Sequence, residues 1–248
     1  MNNLIQWPKA KYWTRQWNPM IGCKPCSPAC ENCYAAAWAR RFGQSFEPHE
    51  TNQKPPRSGV VFCGNMTDLF GIWTRIQRNF IADTLYKGVS TATYLWLTKH
   101  PSRMRQRIEE VCLCHKWRER MSSHHYFGFT AENQEWYDAR IRDFRAANLL
   151  NGWLSAEPLL GPIDLGLRYI APEDQPFDWV VVGCESGPKR RPCKLEWIES
   201  IVEQCRYASV PVFVKQIDIG GKCVTDIAKF PKHLQIRQVP WAKKGGEA

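Results

Sequence analysis

Trp179-Val180-Val181-Val182-Gly183-Cys184-Glu185-Ser186-Gly187 is apolar at nearly every position until it reaches an acid and a glycine. Leu195 to Tyr207 follows with helical spacing, placing Trp197, Ile198, Ile201, Val202 and Cys205 on one face. A second apolar run, Val212-Phe213-Val214-Lys215-Gln216, comes next. Strand, amphipathic helix and strand make a βαβ unit, and a strand without polar alternation belongs in a parallel sheet covered on both faces. Working outward, comparable runs begin at Val60 (VVFCGN), Thr93 (TYLWLTK), Tyr126 (YFGFTAEN) and Trp153 (WLSAEP). Helical spacing recurs between them, at 68–86, 101–117 and 134–147. A seventh strand is expected before Cys23, in TRQWNPMIGC. The expected fold class is α/β: a (β/α) barrel, complete or incomplete, of six to seven parallel strands. We expect a single domain over 1–248, with the barrel at about 14–218 and an irregular tail at about 219–248. No G-x-G-x-x-G or P-loop marks a nucleotide site.

The 248 residues carry 34 Lys and Arg against 24 Asp and Glu, a formal charge of +10, which suits a phosphate-rich partner. Hydrophobic residues at 44% and charged residues at 23% describe a globular protein rather than a disordered one. No apolar run is long enough to cross a membrane, and MNNLIQWPKAKYWTRQW lacks the basic-then-apolar order of a signal peptide. A cytoplasmic location is therefore expected. In a reducing compartment the 11 cysteines point to metal ligation rather than disulfides.

In parallel α/β folds chemistry collects at the carboxyl ends of the strands. Each proposed strand delivers polar groups there: Asn65 and Asp68, then Thr98, Lys99 and His100, then Glu132 and Asn133, then Glu157, then Glu185 and Ser186, then Lys215 and Gln216. Asp68, Asn133 and Ser186 also have the chemistry of helix caps. Glu157 before a proline and Lys215 inside an apolar run do not. Asp68, Glu157, Glu185 and Lys215 are thus the candidate catalytic groups. Asn65, Lys99, Glu132, Asn133, Ser186 and Gln216 are candidates for cofactor binding.

The densest signal is Gly22-Cys23-Lys24-Pro25-Cys26-Ser27-Pro28-Ala29-Cys30-Glu31-Asn32-Cys33-Tyr34. Cys26, Cys30 and Cys33 are spaced C-x3-C-x2-C, a pattern that resembles radical S-adenosylmethionine (SAM) enzymes, where three thiolates hold a [4Fe-4S] cluster and leave one iron open. With Cys23 the loop also reads as a four-thiolate zinc site. The other cysteines read as core or incidental.

Several motifs resemble the phage-encoded three-Cys-motif family, which is radical-SAM-like. They are Trp17-Asn18-Pro19, Gly22-Cys23, Cys30-Glu31-Asn32-Cys33-Tyr34-Ala35, Asn65-Met66-Thr67-Asp68-Leu69-Phe70 and Leu97-Thr98-Lys99. Glu132-Asn133-Gln134, Leu154-Ser155-Ala156-Glu157-Pro158, Gly183-Cys184-Glu185-Ser186 and Phe213-Val214-Lys215-Gln216 continue the series in order. The resemblance implies C-x6-C-x2-C ligands at Cys23, Cys30 and Cys33, with Cys26 a departure, and Cys184 stands where the family has Gly. It further implies a bacterial host cell, an external electron donor, SAM as cofactor and a radical that abstracts hydrogen from the substrate. The charge and the phage context favour a nucleic-acid or nucleotide-related substrate; a phage or host protein partner is unspecified. The alternatives are a zinc-stabilised nucleic-acid-binding protein without catalysis, and a metal-dependent hydrolase.

Overall fold

The computed structural model describes residues 7–72, 74–76, 78–79, 91–110, 124–149 and 151–243. The chain forms two compact units. One comprises Trp13–Phe129 and Arg140–Asn151; the other comprises Met1–Tyr12, Thr130–Ala139 and Gly152–Ala248.

In the first unit, β1 (Arg15–Trp17), β4 (Val60–Cys63), β5 (Thr93–Thr98) and β6 (His125–Thr130) pair in parallel in that order. A short antiparallel pair, β2 (Met20–Ile21) with β3 (His49–Glu50), stands apart from them. The second unit runs β7 (Gly152–Ala156), β8 (Trp179–Gly183) and β9 (Val212–Ile219) in parallel. β10 (Lys222–Val224) joins antiparallel through Gly220-Gly221, both at positive φ as a two-residue hairpin turn requires. The six expected strands and the seventh before Cys23 are all present, in the expected α/β order.

The helices Gln134–Ala147 and Leu195–Tyr207 match the spacing read from the sequence. The third expected helix is Pro101–Glu109, and its continuation to 117 lies outside the described residues. The helix expected at 68–86 starts later than Asp68: residues 75–76 and 78–79 are helical. Residues 69–71 make a turn, because the Asp68 carboxylate accepts the Phe70 and Gly71 amides at 3.2 and 3.0 Å. Residues 73, 77 and 80–86 of that expectation lie outside the described residues. Among the described residues no helix is long and apolar enough to cross a membrane.

Each unit has an aromatic core. In the second unit Tyr12 meets Trp153, Trp179 and Phe213 edge-on, with ring centroids 6.0, 5.1 and 5.4 Å away. In the first unit Trp96, His125 and Phe127 stack nearly parallel across β5 and β6. His125 is buried, and its Nδ1 accepts the Trp96 indole N–H at 3.0 Å.

That bond requires neutral imidazole, and desolvation, with the nearby His124 second, depresses the His125 pKa from 6.5 to about 3. A folded-state pKa below the unfolded value gives a contribution that is complete above about pH 6.5 and is lost as pH falls towards 3. In urea titrations His125→Gln should show a weaker fall in stability than the parent over that window. Equal slopes would contradict this account.

Candidate metal and cofactor site

The cysteine loop begins at a position that only glycine fills. Gly22 has φ +94°, and a Cβ there would overlap the Glu47 carbonyl. Backbone bonds then fix the loop at both sides: Gly22 N–H to the Met66 carbonyl at 3.1 Å and Cys23 N–H to the Phe46 carbonyl at 3.3 Å. The Thr67 hydroxyl donates to the Gly22 carbonyl at 2.6 Å. The loop is thereby tied to the turn after β4 that carries Asn65 and Asp68. Cys30 closes a 3-10 turn, Pro28–Cys30, and Cys33 sits at the N-terminal boundary of the helix Tyr34–Arg41 without using its side chain as a cap.

Asp68 is buried and accepts four hydrogen bonds. Besides the two turn amides, the Thr98 hydroxyl donates to Oδ1 at 2.6 Å and the Lys99 amide to Oδ2 at 2.7 Å. The end of β5 is thus pinned to the turn after β4. That placement lets the Lys99 ammonium donate to Cys30 Sγ at 3.2 Å. The Cys26 amide donates to the same sulfur at 3.5 Å.

Three donors' influence makes Cys30 the thiolate of the loop. Its hydrogen bond with the Cys26 thiol is the largest cause, opposed by burial and reinforced by Lys99, and its pKa falls to about 3. Cys26 is raised correspondingly and keeps the proton. Burial, then the Asp68 charge, push Cys23 up to about 11, and the charges of both Cys30 and Cys33 act on it. Asn65 accepts the Tyr34 hydroxyl on its carbonyl, and its buried Oδ1 has no hydrogen-bond partner among the described residues.

The other candidates lie in the second unit. Lys215 pairs with Glu157 at 3.0 Å and lies over the Tyr12 ring at 5.9 Å. Gly183 makes room for that pair, since a Cβ would stand 2.9 Å from Glu157 Oε1 and 3.2 Å from Gln216 Cγ. Gln216 is committed to the Cys184 carbonyl at 2.6 Å. Glu185 is buried and is held by Arg191 through its guanidinium and its backbone amide, the latter at 2.8 Å. The backbone carbonyl of the buried Glu132 accepts the Leu160 amide at 2.7 Å. Asn133 caps Gln134–Ala147 by accepting the Trp136 amide at 3.1 Å, and Ser186 is exposed.

Sequence reasoning missed Arg191 as the partner of Glu185 and Arg190 as the partner of Asp218, the latter at 2.8 Å. The turn Gly187-Pro188 between Glu185 and the basic pair was the available signal. It also read Cys184, Cys193 and Cys223 as scattered. Both Cys193 and Cys223 lie near enough to act on Cys184, Cys193 N–H meets Asp218 at 3.4 Å, and Cys223 is opposite Asp218 across the hairpin. Burial raises Cys184 and pushes Cys193 up to about 12, so these are neutral thiols. Cys112 and Cys114 lie outside the described residues.

Among the described residues no group of three or more His, Cys, Asp or Glu is arranged to hold a metal ion. The donor chemistry of the loop nevertheless suits an iron–sulfur cluster: soft sulfur ligands close in sequence, one already a thiolate and stabilised by an ammonium group.

A family profile spans residues 5–240. The chain belongs to that family, Protein of unknown function (DUF5131). No curated protein matches the chain. Among solved structures, spore photoproduct lyase complexed with dinucleoside spore photoproduct is 12% identical, with a TM-score of 0.42, over 66% of this chain and 53% of that one. A double mutant of the lyase with bound AdoMet and dinucleoside spore photoproduct gives 12% identity and a TM-score of 0.41, over 77% and 50%. A cysteine-to-serine mutant gives 14% and 0.39, over 57% and 44%. The chain spans about half the length of these structures.

Two outcomes follow from the geometry. Asp68→Ala leaves four donors without their acceptor and should cost about 3 kcal/mol in urea unfolding, whereas Asp68→Asn, keeping one oxygen, should cost about half as much. In metal-free protein at pH 6, iodoacetamide should label Cys30 before Cys23 by peptide mass spectrometry, and Lys99→Met should narrow the difference. Preferential labelling of Cys23 would reverse the assignment.

Proposed function

We propose that the chain is a radical-SAM-like iron–sulfur enzyme of the phage-encoded three-Cys kind, acting in the cytoplasm on a nucleic-acid or nucleotide-related substrate. The observation that carries this reading is the Lys99 ammonium donating to the Cys30 sulfur at 3.2 Å in a four-cysteine loop.

Cys23, Cys30 and Cys33 are the proposed ligands of a [4Fe-4S] cluster, since they stand at the C-x6-C-x2-C positions of the phage-encoded family that the sequence resembles. Cys26 is the protonated neighbour that orients Cys30. When bound, such a cluster with SAM and an external electron donor supplies a carbon-centred radical that abstracts hydrogen from the substrate. The chain's own residues prepare for this. Lys99 offsets negative charge at Cys30, and Asp68 fixes Lys99 through the backbone. The unpartnered Asn65 Oδ1 offers an acceptor beside the loop. In the second unit, the Glu157 and Lys215 pair offers opposite charges for SAM or substrate. Glu185, fixed in place by Arg191, offers a further acid. We assign orienting roles to Glu132, Asn133, Ser186 and Gln216. The net charge of +10 supports a phosphate-bearing substrate.

Anaerobic purification with iron, sulfide and zinc analysis tests the reading. Brown protein with about four irons per chain, absorbing at about 400 nm and bleaching in air, is the expected result. Colourless protein with one zinc would overturn it. Cys30→Ala and Cys33→Ala should abolish iron binding, Cys23→Ala should nearly do so, and Cys26→Ala should retain it. Iron lost from Cys26→Ala but kept by Cys23→Ala would move the third ligand to Cys26.

A further inference from the structure

The helix Tyr34–Arg41, which begins directly after Cys33, is built inside out. Its buried positions are Ala35 and Ala39, while Tyr34, Trp38 and the following Phe42 are 53%, 45% and 58% exposed. An aromatic ring gains from burial, so three neighbouring rings left about half exposed forgo part of that gain. Their contribution to folding accounts for only part of their placement. Spaced four residues apart, they line one side of the helix at about 6 Å intervals. That interval is close to two base steps of about 3.4 Å.

The rings are already partly ordered for contact. Trp38 and Phe42 lie with centroids 4.9 Å apart, the Arg41 guanidinium stands 5.9 Å from the Phe42 ring, and the Tyr34 hydroxyl is held by the Asn65 carbonyl. Arg40 and Arg41 are both exposed. Between Gly22 and Gln44 the sequence holds Lys24, Arg40 and Arg41 against the single acid Glu31. The local excess of positive charge, within a chain of net charge +10, complements a polyanion. Sequence-tolerant recognition of a single strand needs both, flat rings for bases and cations for the phosphates between them.

We propose that Trp38 and Phe42 form a stacking surface for single-stranded nucleic acid, with Arg40 and Arg41 on its phosphates. The inference rests on the nucleic-acid part of the function proposed above and names the strand state and the surface that receives it. It does not depend on the cluster, on SAM or on turnover.

The test is electrophoretic mobility of a labelled twelve-nucleotide oligo-dT with the full chain, across a salt series. Trp38→Ala and Phe42→Ala should each weaken binding about tenfold, and Trp38→Phe should largely preserve it. Arg40→Gln and Arg41→Gln should each lower the slope of log affinity against log salt by about 0.7. Tyr169→Ala, which removes an 86% exposed ring elsewhere, should change nothing. Unchanged melting temperature and circular dichroism separate lost contact from lost fold. Affinity unaffected by Trp38→Ala and Phe42→Ala, or no oligo-dT binding by iron-loaded protein, overturns the proposal. So does self-association in ultracentrifugation that Trp38→Ala abolishes, which assigns the face to a second copy. Normal oligo-dT binding by a protein that takes zinc and no iron would sustain this surface and sink the enzyme reading.

Discussion

The carboxylate of Asp68 joins two strand ends that the sequence separates by thirty residues. It takes amides from its own turn, the hydroxyl of Thr98 and the amide of Lys99, so neither the turn after β4 nor the end of β5 can shift without breaking charge-assisted bonds. The cysteine loop leans on that turn through Gly22 and Thr67. The Lys99 ammonium can therefore meet one particular sulfur out of four. A single buried acid thus ties the turn that supports the loop to the strand end that delivers Lys99 to it.

The second unit uses a different device. Its acids are neutralised one by one, Glu157 by Lys215, Glu185 by Arg191 and Asp218 by Arg190, each at or just beyond the end of a strand. Pairing makes burial of a carboxylate tolerable, yet it adds little net stability once desolvation is counted. Retaining three such pairs is more readily understood as orientation of charge than as reinforcement of the fold. Gly183 supports this view, because the β8 backbone has given up a side chain where Glu157 lies.

The strands and the helices Gln134–Ala147 and Leu195–Tyr207 were legible in the sequence because burial imposes a period that local composition displays. The turn at Asp68 was not, because a side chain competing for backbone amides leaves no mark in hydrophobic spacing. The grouping of Cys184, Cys193 and Cys223 escaped for a related reason: a hairpin register and a long loop bring them together, and neither is visible in linear intervals. The polar residues at strand ends were readable as a set. Their individual partners were not, since ion pairs such as Glu157 with Lys215 depend on contacts between distant segments. The alanine spacing of YAAAWARR was visible, but only burial shows that the alanines, rather than Trp38, face inward.

The inverted helix also has an optical consequence. Trp17, Trp96, Trp153 and Trp179 are sealed in aromatic clusters, whereas Trp38 is the exposed tryptophan among the described residues. Indole emission shifts to longer wavelength in water, and a soluble quencher such as iodide reaches only rings at the surface. Trp38, five residues beyond Cys33, therefore contributes to the red edge of the intrinsic emission spectrum, and the difference between the parent and Trp38→Phe spectra isolates that contribution. Without any attached label, that difference reports on the solvent beside the cysteine loop.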